Sequence, residues 1–227
     1  MDLLYYESPP GLQFLNCLEA SGMVGGEGTF LDAFKAAKVF KETRPEMFEI
    51  LSRVPATFIC SRHEREVEVE EDKESFNEKA NSAASMLVQR PHFQVTTEGD
   101  IVGVFWAPQF EGPLVCAPQD VRPYYEAHAA FHSFLEEGSF AVGHTLKKTP
   151  QVGHCVMFNN RRMLHGRKAF SSGKRVLEGC YVSLDDATSR LGSLHIKMSS
   201  LDPLKNQLCI AGNGSNLPPG NDEPSSC

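Results

Sequence analysis

Apolar residues recur at helical spacing only in the middle of this chain, and strand-like patterns flank that region on both sides. Asp32 is placed to cap a helix over Ala33 to Lys41, whose Phe34, Ala37 and Phe40 fall on one face. Pro45 suits the first position of a second helix, packed by Met47, Phe48, Ile50 and Leu51. Pro123 is expected to open a third, with Ala127, Phe131, Phe134 and Leu135 as its buried stripe. Strands are expected over Leu12 to Leu18, Thr29 to Leu31, Gly153 to Phe158 and Val176 to Ser183. A glycine-rich turn over Gly22 to Gly28 separates the first two. His92 to Val95 and Ile101 to Trp106 form a hairpin around Glu98-Gly99-Asp100. Met1 to Glu7 reads as a strand from inside a domain, running into Ser8-Pro9-Pro10-Gly11. Helices that do not alternate with strands argue against a parallel α/β sheet. The expected class is α+β, mainly β, with inserted helices: one domain over residues 1–200 and a flexible tail over 201–227 that is rich in Gly, Asn, Pro and Ser.

With 41% hydrophobic and 22% charged residues, a buried core is feasible. The net charge of -7 argues against a broad nucleic-acid surface, and Lys147–Lys148 and Arg161–Arg162 read as local basic spots. The charge-rich stretch from Arg62 to Glu74 reads as a solvated loop. No stretch is long and apolar enough to span a membrane as a helix. The seven cysteines are widely spaced and form no C-x-x-C pair, which favours reduced thiols over zinc ligation or a disulfide framework. His128 and His132 sit four apart on the third helix, a spacing metals use, but no carboxylate or third histidine completes a set in the sequence. They read as ordinary helix residues.

The stretch that carries chemistry is Met157-Phe158-Asn159-Asn160-Arg161-Arg162-Met163-Leu164-His165-Gly166-Arg167. A strand delivers a histidine beside a glycine, where something can approach the backbone closely. Ten residues on, Arg175 starts the next strand. A hairpin would put His165 and Arg175 on neighbouring strands, a metal ligand beside a carboxylate clamp. The ordinary alternative is a surface histidine and a structural arginine.

This box, with Arg175 and Leu177-Glu178-Gly179-Cys180-Tyr181 after it, resembles the end of the γ-butyrobetaine dioxygenase and trimethyllysine dioxygenase family, and more distantly the taurine dioxygenase superfamily. The likeness runs in order through Asp2, Pro10-Gly11-Leu12-Gln13, Gly25-Gly26, Phe48 to Ser52 and Ser189-Arg190-Leu191. It implies a double-stranded β-helix (jelly roll) with inserted helices, here lacking its first strands. It also implies Fe(II) held by two histidines and one carboxylate, with 2-oxoglutarate as co-substrate and ascorbate as reductant. By resemblance, Asp2 and His165 are metal ligands, and Arg175 and Thr29 bind the co-substrate. The implied substrate is a small molecule bearing a trimethylammonium group, as in carnitine biosynthesis. Aromatic faces bind such cations. Tyr181 falls where the family has a cage tyrosine, and cage and core roles stand even for it. Tyr5, Tyr6 and Trp106 read first as core.

Two departures matter. The family's first histidine belongs to a His-x-Asp pattern ending at Asp2, so it would precede Met1. The expectation is therefore a chain beginning one residue too late for the full iron site, and the alternative is a catalytically inactive truncated isoform or fragment. Phe105-Trp106-Ala107-Pro108 stands where γ-butyrobetaine dioxygenase has asparagines, and Leu3 where it has a tyrosine, which leaves room for another substrate. A binding module for quaternary ammonium compounds, without iron, is the third reading. Nucleic-acid and membrane partners are not expected, and assembly is open between monomer and homodimer. Cytoplasm is the default compartment; the mitochondrion stays open, since a longer N-terminus could carry a leader.

Overall fold

In the computed structural model of the chain, residues 1–62, 84–136 and 139–199 are described. Most of the expected solvated loop and the tail over 201–227 lie outside them. The secondary structure begins with two strands, β1 (Leu12–Gly25) and β2 (Gly28–Asp32). Four helices follow, interrupted by short strands: α1 (Ala33–Thr43), α2 (Pro45–Arg53), α3 (Pro118–Glu136) and α4 (Ser139–His144). Between α2 and α3 lie β3 (Ala56–Arg62), β4 (Ala84–Arg90), β5 (Phe93–Val95) and β6 (Ile101–Val104). The chain then returns to strand as β7 (Leu146–Lys148), β8 (Cys155–Asn159), β9 (Met163–Arg167) and β10 (Phe170–Val182), and ends in α5 (Leu184–Ser199).

The architecture is mixed, with antiparallel sheets. One three-stranded sheet has the order β10-β1-β8 and the other β7-β2-β9, with two-stranded pairs β3-β4 and β5-β6 beside them. The two larger sheets meet through aromatic contacts: Phe30 of β2 lies 5.3 Å from Phe158 of β8, and Phe158 lies 4.7 Å from His165 of β9. The helices pack as a layer. Ala33, Ala36 and Ala37 are fully buried and let α1 approach closely, while Phe40, Phe93 and Phe131 interlock at ring distances of 4.9 to 6.2 Å. Asp32 caps α1 as expected: its Oδ1 accepts from the N–H groups of Phe34 (3.0 Å) and Lys35 (3.2 Å), and its Oδ2 accepts from Arg162 at 2.7 Å.

Five expectations change. Met1 to Pro10 is a turn, not a strand, because Leu3 adopts a φ of 59° and Tyr6 N–H closes back on the Leu3 carbonyl at 3.1 Å. The glycine-rich turn is shorter than expected, since β1 runs on to Gly25. Its pairing shifts register between Ser21 and Val24, where Gly22 meets Gly173. A Cβ at Gly173 would lie 2.5 Å from the Gly22 carbonyl carbon, so two backbones touch where no side chain fits. The third helix starts at Pro118, and Pro123 lies inside it. Strand β9 pairs with β2, whereas β10 pairs with β1, so His165 and Arg175 are on different sheets rather than on one hairpin. The chain changes sheet at Lys168, whose N–H donates to the Glu27 carbonyl at 2.9 Å. Helix α5 was not expected. Much of its apolar surface is exposed, including Leu191, Leu194 and Ile196, so its pattern carries little burial signal.

Trp106 and Tyr5 are core residues as read, whereas Tyr6 is 41% exposed. Cys17, Cys60, Cys116, Cys155 and Cys180 are unbridged. Among the described residues no helix is long and apolar enough to cross a membrane.

His92 is fully buried, and burial pushes its pKa from 6.5 down to about 4. The ring is therefore neutral in the fold, while the unfolded chain takes up a proton below pH 6.5. Stability is complete above that pH and falls between pH 6.5 and 4. The whole window is worth about 3 kcal/mol, at about 1.4 kcal/mol per unit. Urea midpoints measured with EDTA present, from pH 7 down to 4, check this, and His92→Phe should flatten the dependence.

Candidate metal and co-substrate site

Asp2 and His165 come together from opposite ends of the sequence. Strand pairing of Phe30 with His165 fixes the histidine on β9. Its Nδ1 lies 3.4 Å from the Met163 carbonyl. Its Nε2 faces Asp2 Oδ2 at 3.4 Å. At this range a proton on the imidazole satisfies the carboxylate, and a metal ion can take the proton's place.

Asp2 is held twice over. Its N–H donates to Asn160 Oδ1 at 2.7 Å, and Asn160 Nδ2 donates back to the Asp2 carbonyl at 3.0 Å and to the Pro10 carbonyl at 3.1 Å. Asn160 is fully buried. The carboxylate itself accepts at Oδ2 from Tyr181 O–H (2.7 Å) and Gln13 Nε2 (2.9 Å). The His165 imidazole beside it, with help from Tyr181 and Gln13, holds the Asp2 carboxyl well below the usual carboxylate range. Burial, with the hydrogen bond to Asp2, pushes the Tyr181 hydroxyl up. The left-handed backbone at Leu3 costs on the order of 1 kcal/mol and turns the chain directly after Asp2.

One cavity adjoins His165, and a second shares Phe30 with it. The larger, of about 670 Å³, is lined by His165, Gly166 and Thr29, with Trp106 and Leu135 among its apolar walls. The smaller, of about 340 Å³, is lined by Arg175, Cys17, Leu15 and Leu177. Phe30 lines both. Arg175 Nε is buried there without a hydrogen-bond partner, and desolvation lowers the guanidinium pKa. An orphaned guanidinium nitrogen in an apolar pocket is what a carboxylate would satisfy.

Of the five residues singled out from the sequence, Asp2, His165 and Tyr181 are brought together. Tyr181 reaches Asp2 with its hydroxyl, and the residue is 42% exposed. Thr29 is in the larger cavity and Arg175 in the smaller. Gln13 and Asn160 were in the recognised segments but given no role; a buried polar side chain against the turn that carries Asp2 is the signal that marks them. Among the described residues, no third His, Cys, Asp or Glu groups with Asp2 and His165. A separate set does exist: His128 joins Glu111 and His92, so the expectation that nothing completes a set around the His128–His132 pair fails. The partners come from distant elements, and His132 is not one of them.

With Asp2 read as a metal ligand, Asn160→Ala should weaken Fe(II) retention by about 10- to 100-fold, as loss of groups that orient metal ligands generally does. Metal titration against a chelating dye, with circular dichroism as the folding control, checks this.

Residues 1–181 match the model of the family described as taurine catabolism dioxygenase TauD, TfdA family. The chain is 29% identical over 197 residues to a trimethyllysine dioxygenase of Meyerozyma guilliermondii, covering 86% of this chain and 44% of that protein. It is 29% identical over 192 residues to the gamma-butyrobetaine dioxygenase of a Pseudomonas species, covering 84% and 44%. The human gamma-butyrobetaine dioxygenase is 26% identical over 200 residues, covering 85% and 45%. The chain thus spans less than half the length of these relatives. Among solved structures, a candidate alpha-ketoglutarate dependent 2,4-D dioxygenase from Burkholderia xenovorans superposes with a TM-score of 0.54 at 14% identity, over 80% of this chain and 65% of that one. At that identity the likeness speaks for the fold.

Proposed function

The chain belongs to the taurine catabolism dioxygenase TauD, TfdA family, and from that premise we propose that it works as an Fe(II)- and 2-oxoglutarate-dependent dioxygenase on a small trimethylammonium compound. The observation that carries this reading is the facing pair of Asp2 Oδ2 and His165 Nε2; an unpartnered Arg175 nitrogen supports it from a second cavity, which shares Phe30 with the one that His165 lines. The relatives named for trimethyllysine and gamma-butyrobetaine support the substrate class. The paired antiparallel sheets support a jelly roll with inserted helices over residues 1–200.

The residues fit the groups this activity needs. Asp2 and His165 would hold iron; a carboxylate and a neutral imidazole suit Fe(II). Bound there, the metal with 2-oxoglutarate and oxygen would supply the oxidation, with succinate and carbon dioxide as co-products and ascorbate keeping the metal reduced. The protein's share is binding and orientation. Tyr181 and Gln13 hold the Asp2 carboxylate through Oδ2, the oxygen that faces His165. Arg175 pairs with the far carboxylate of the co-substrate, and Leu15, Leu177 and Phe30 keep water from that ion pair. Thr29 lies one register pair from His165 and offers a hydroxyl at the metal end. The larger cavity takes the substrate, with Trp106 as an aromatic wall. The exposed face of Tyr181 is a further cation contact. Monomer and homodimer, and cytoplasm and mitochondrion, are equally compatible with this site.

The test is succinate formation from 2-oxoglutarate with Fe(II) and ascorbate, over a panel that includes trimethyllysine and γ-butyrobetaine. Substrate-stimulated succinate is expected. A folded chain that forms none with any member would reject the reading for this polypeptide.

A further inference from the structure

We propose that His92, Glu111 and His128 form a second divalent-metal site, of the zinc class, distinct from Asp2 and His165. The three come from separate elements: His92 precedes β5, Glu111 bridges to Phe58 of β3, and His128 is on α3. One ligand atom of each lies within 4.8 Å of the others. In a tetrahedral zinc site with bonds of 2.0–2.1 Å, neighbouring ligand atoms are about 3.3 Å apart. Small side-chain rotations close that difference.

The orientation of His92 is that of a ligand. Its Nδ1 is 2.8 Å from the Phe105 carbonyl, which only accepts, so the proton sits on Nδ1 and the lone pair on Nε2. A backbone carbonyl on the other ring nitrogen is the usual support for a metal-binding histidine. Glu111 Oε2 lies 2.9 Å from His128 Nε2, and it is the anionic member of the set. The side chains of His128 and Glu111 are 20% and 18% exposed, which leaves an ion a way in. Trp106 packs 4.5 Å from His128 and 4.9 Å from His92 and limits how far either ring can swing. Tyr124 O–H is 2.8 Å from His92 Nε2 and donates to it, so it competes for the lone pair and would shift to make room or stay as an outer partner.

The two sites lie to either side of Trp106. Its indole rests on the two histidines, while its carbonyl accepts from the Met1 ammonium at 3.2 Å, next to Asp2. A metal here ties α3 to the segment before β5 and to the turn after Pro108. It would thereby fix the aromatic wall of the larger cavity.

Cobalt(II) tests this, because tetrahedral cobalt absorbs visible light far more strongly than six-coordinate cobalt. The His165→Ala variant of the 227-residue chain removes the first site as a competitor. It is expected to take up one equivalent of cobalt with intense visible bands that added zinc abolishes. Adding Glu111→Gln, which keeps size and shape, or His128→Ala should remove the bands. Tyr124→Phe should bind at least as tightly as its parent. Circular dichroism and unfolding midpoints establish that each variant is folded. Absence of cobalt uptake by His165→Ala, or bands that persist unchanged in the Glu111→Gln variant, would overturn the proposal.

Discussion

On the proposed dioxygenase function, replacing His165 with alanine should abolish 2-oxoglutarate turnover, lowering the rate by at least about a thousandfold. Removing groups that merely orient metal ligands costs roughly 10- to 100-fold, and His165 is assigned as a ligand itself. Of the side chains assigned to iron, only Asp2 would remain. The same change should also raise the Asp2 pKa toward the ordinary carboxylate range, since the imidazole is the largest cause of its depression. The ring is not a major part of the core: its side chain is 13% exposed and its aromatic contact is Phe158. The variant should therefore keep its circular dichroism and most of its urea midpoint. Loss of activity with loss of fold would leave Asp2→Asn as the cleaner variant, because it preserves shape while removing the charge.

Phe131→Ala should be the most damaging change outside the site. Phe131 is fully buried, and its ring lies 4.9 Å from each of Phe40, Phe93 and Trp106. Truncating a core phenylalanine costs about 3–5 kcal/mol, from lost transfer energy plus the cavity left behind. Domains are stable by about 5–15 kcal/mol, so this is a large share of the total. The effect should also reach the site, because Trp106 loses an edge-on partner while its carbonyl holds Met1 next to Asp2. A shift of the urea midpoint at unchanged slope measures the cost. Phe131→Leu, which refills most of the volume, should recover more than half of it.

Local chemistry was well written in the sequence. The Asp32 cap, the proline at the start of α2 and the stripe of Ala127, Phe131 and Leu135 all act through neighbours a few residues away. The His165 box was legible because a run of specific residues in order matches a family. What failed depended on distance. Nearness in the chain suggested that His165 and Arg175 share a hairpin, but the corner at Lys168 sends β10 to the other sheet. The metal-like set around His128 was hidden because His92 and Glu111 come from other elements, with no short spacing to announce them. Asn160 shows the same limit: its work is to hold a turn more than 150 residues away, and only the folded chain puts them side by side.

The account rests on Asp2, His165 and Arg175 serving one bound co-substrate, although the arginine lines a different cavity from Thr29. The most direct measurement is anaerobic binding of 2-oxoglutarate, with Fe(II) present, to the 227-residue chain and to its His165→Ala and Arg175→Ala variants. The account predicts saturable binding that needs the metal, is lost in His165→Ala and is weakened about 100-fold in Arg175→Ala, the scale of two charge-assisted hydrogen bonds. Equal affinity in all three proteins, or binding indifferent to metal, would contradict it.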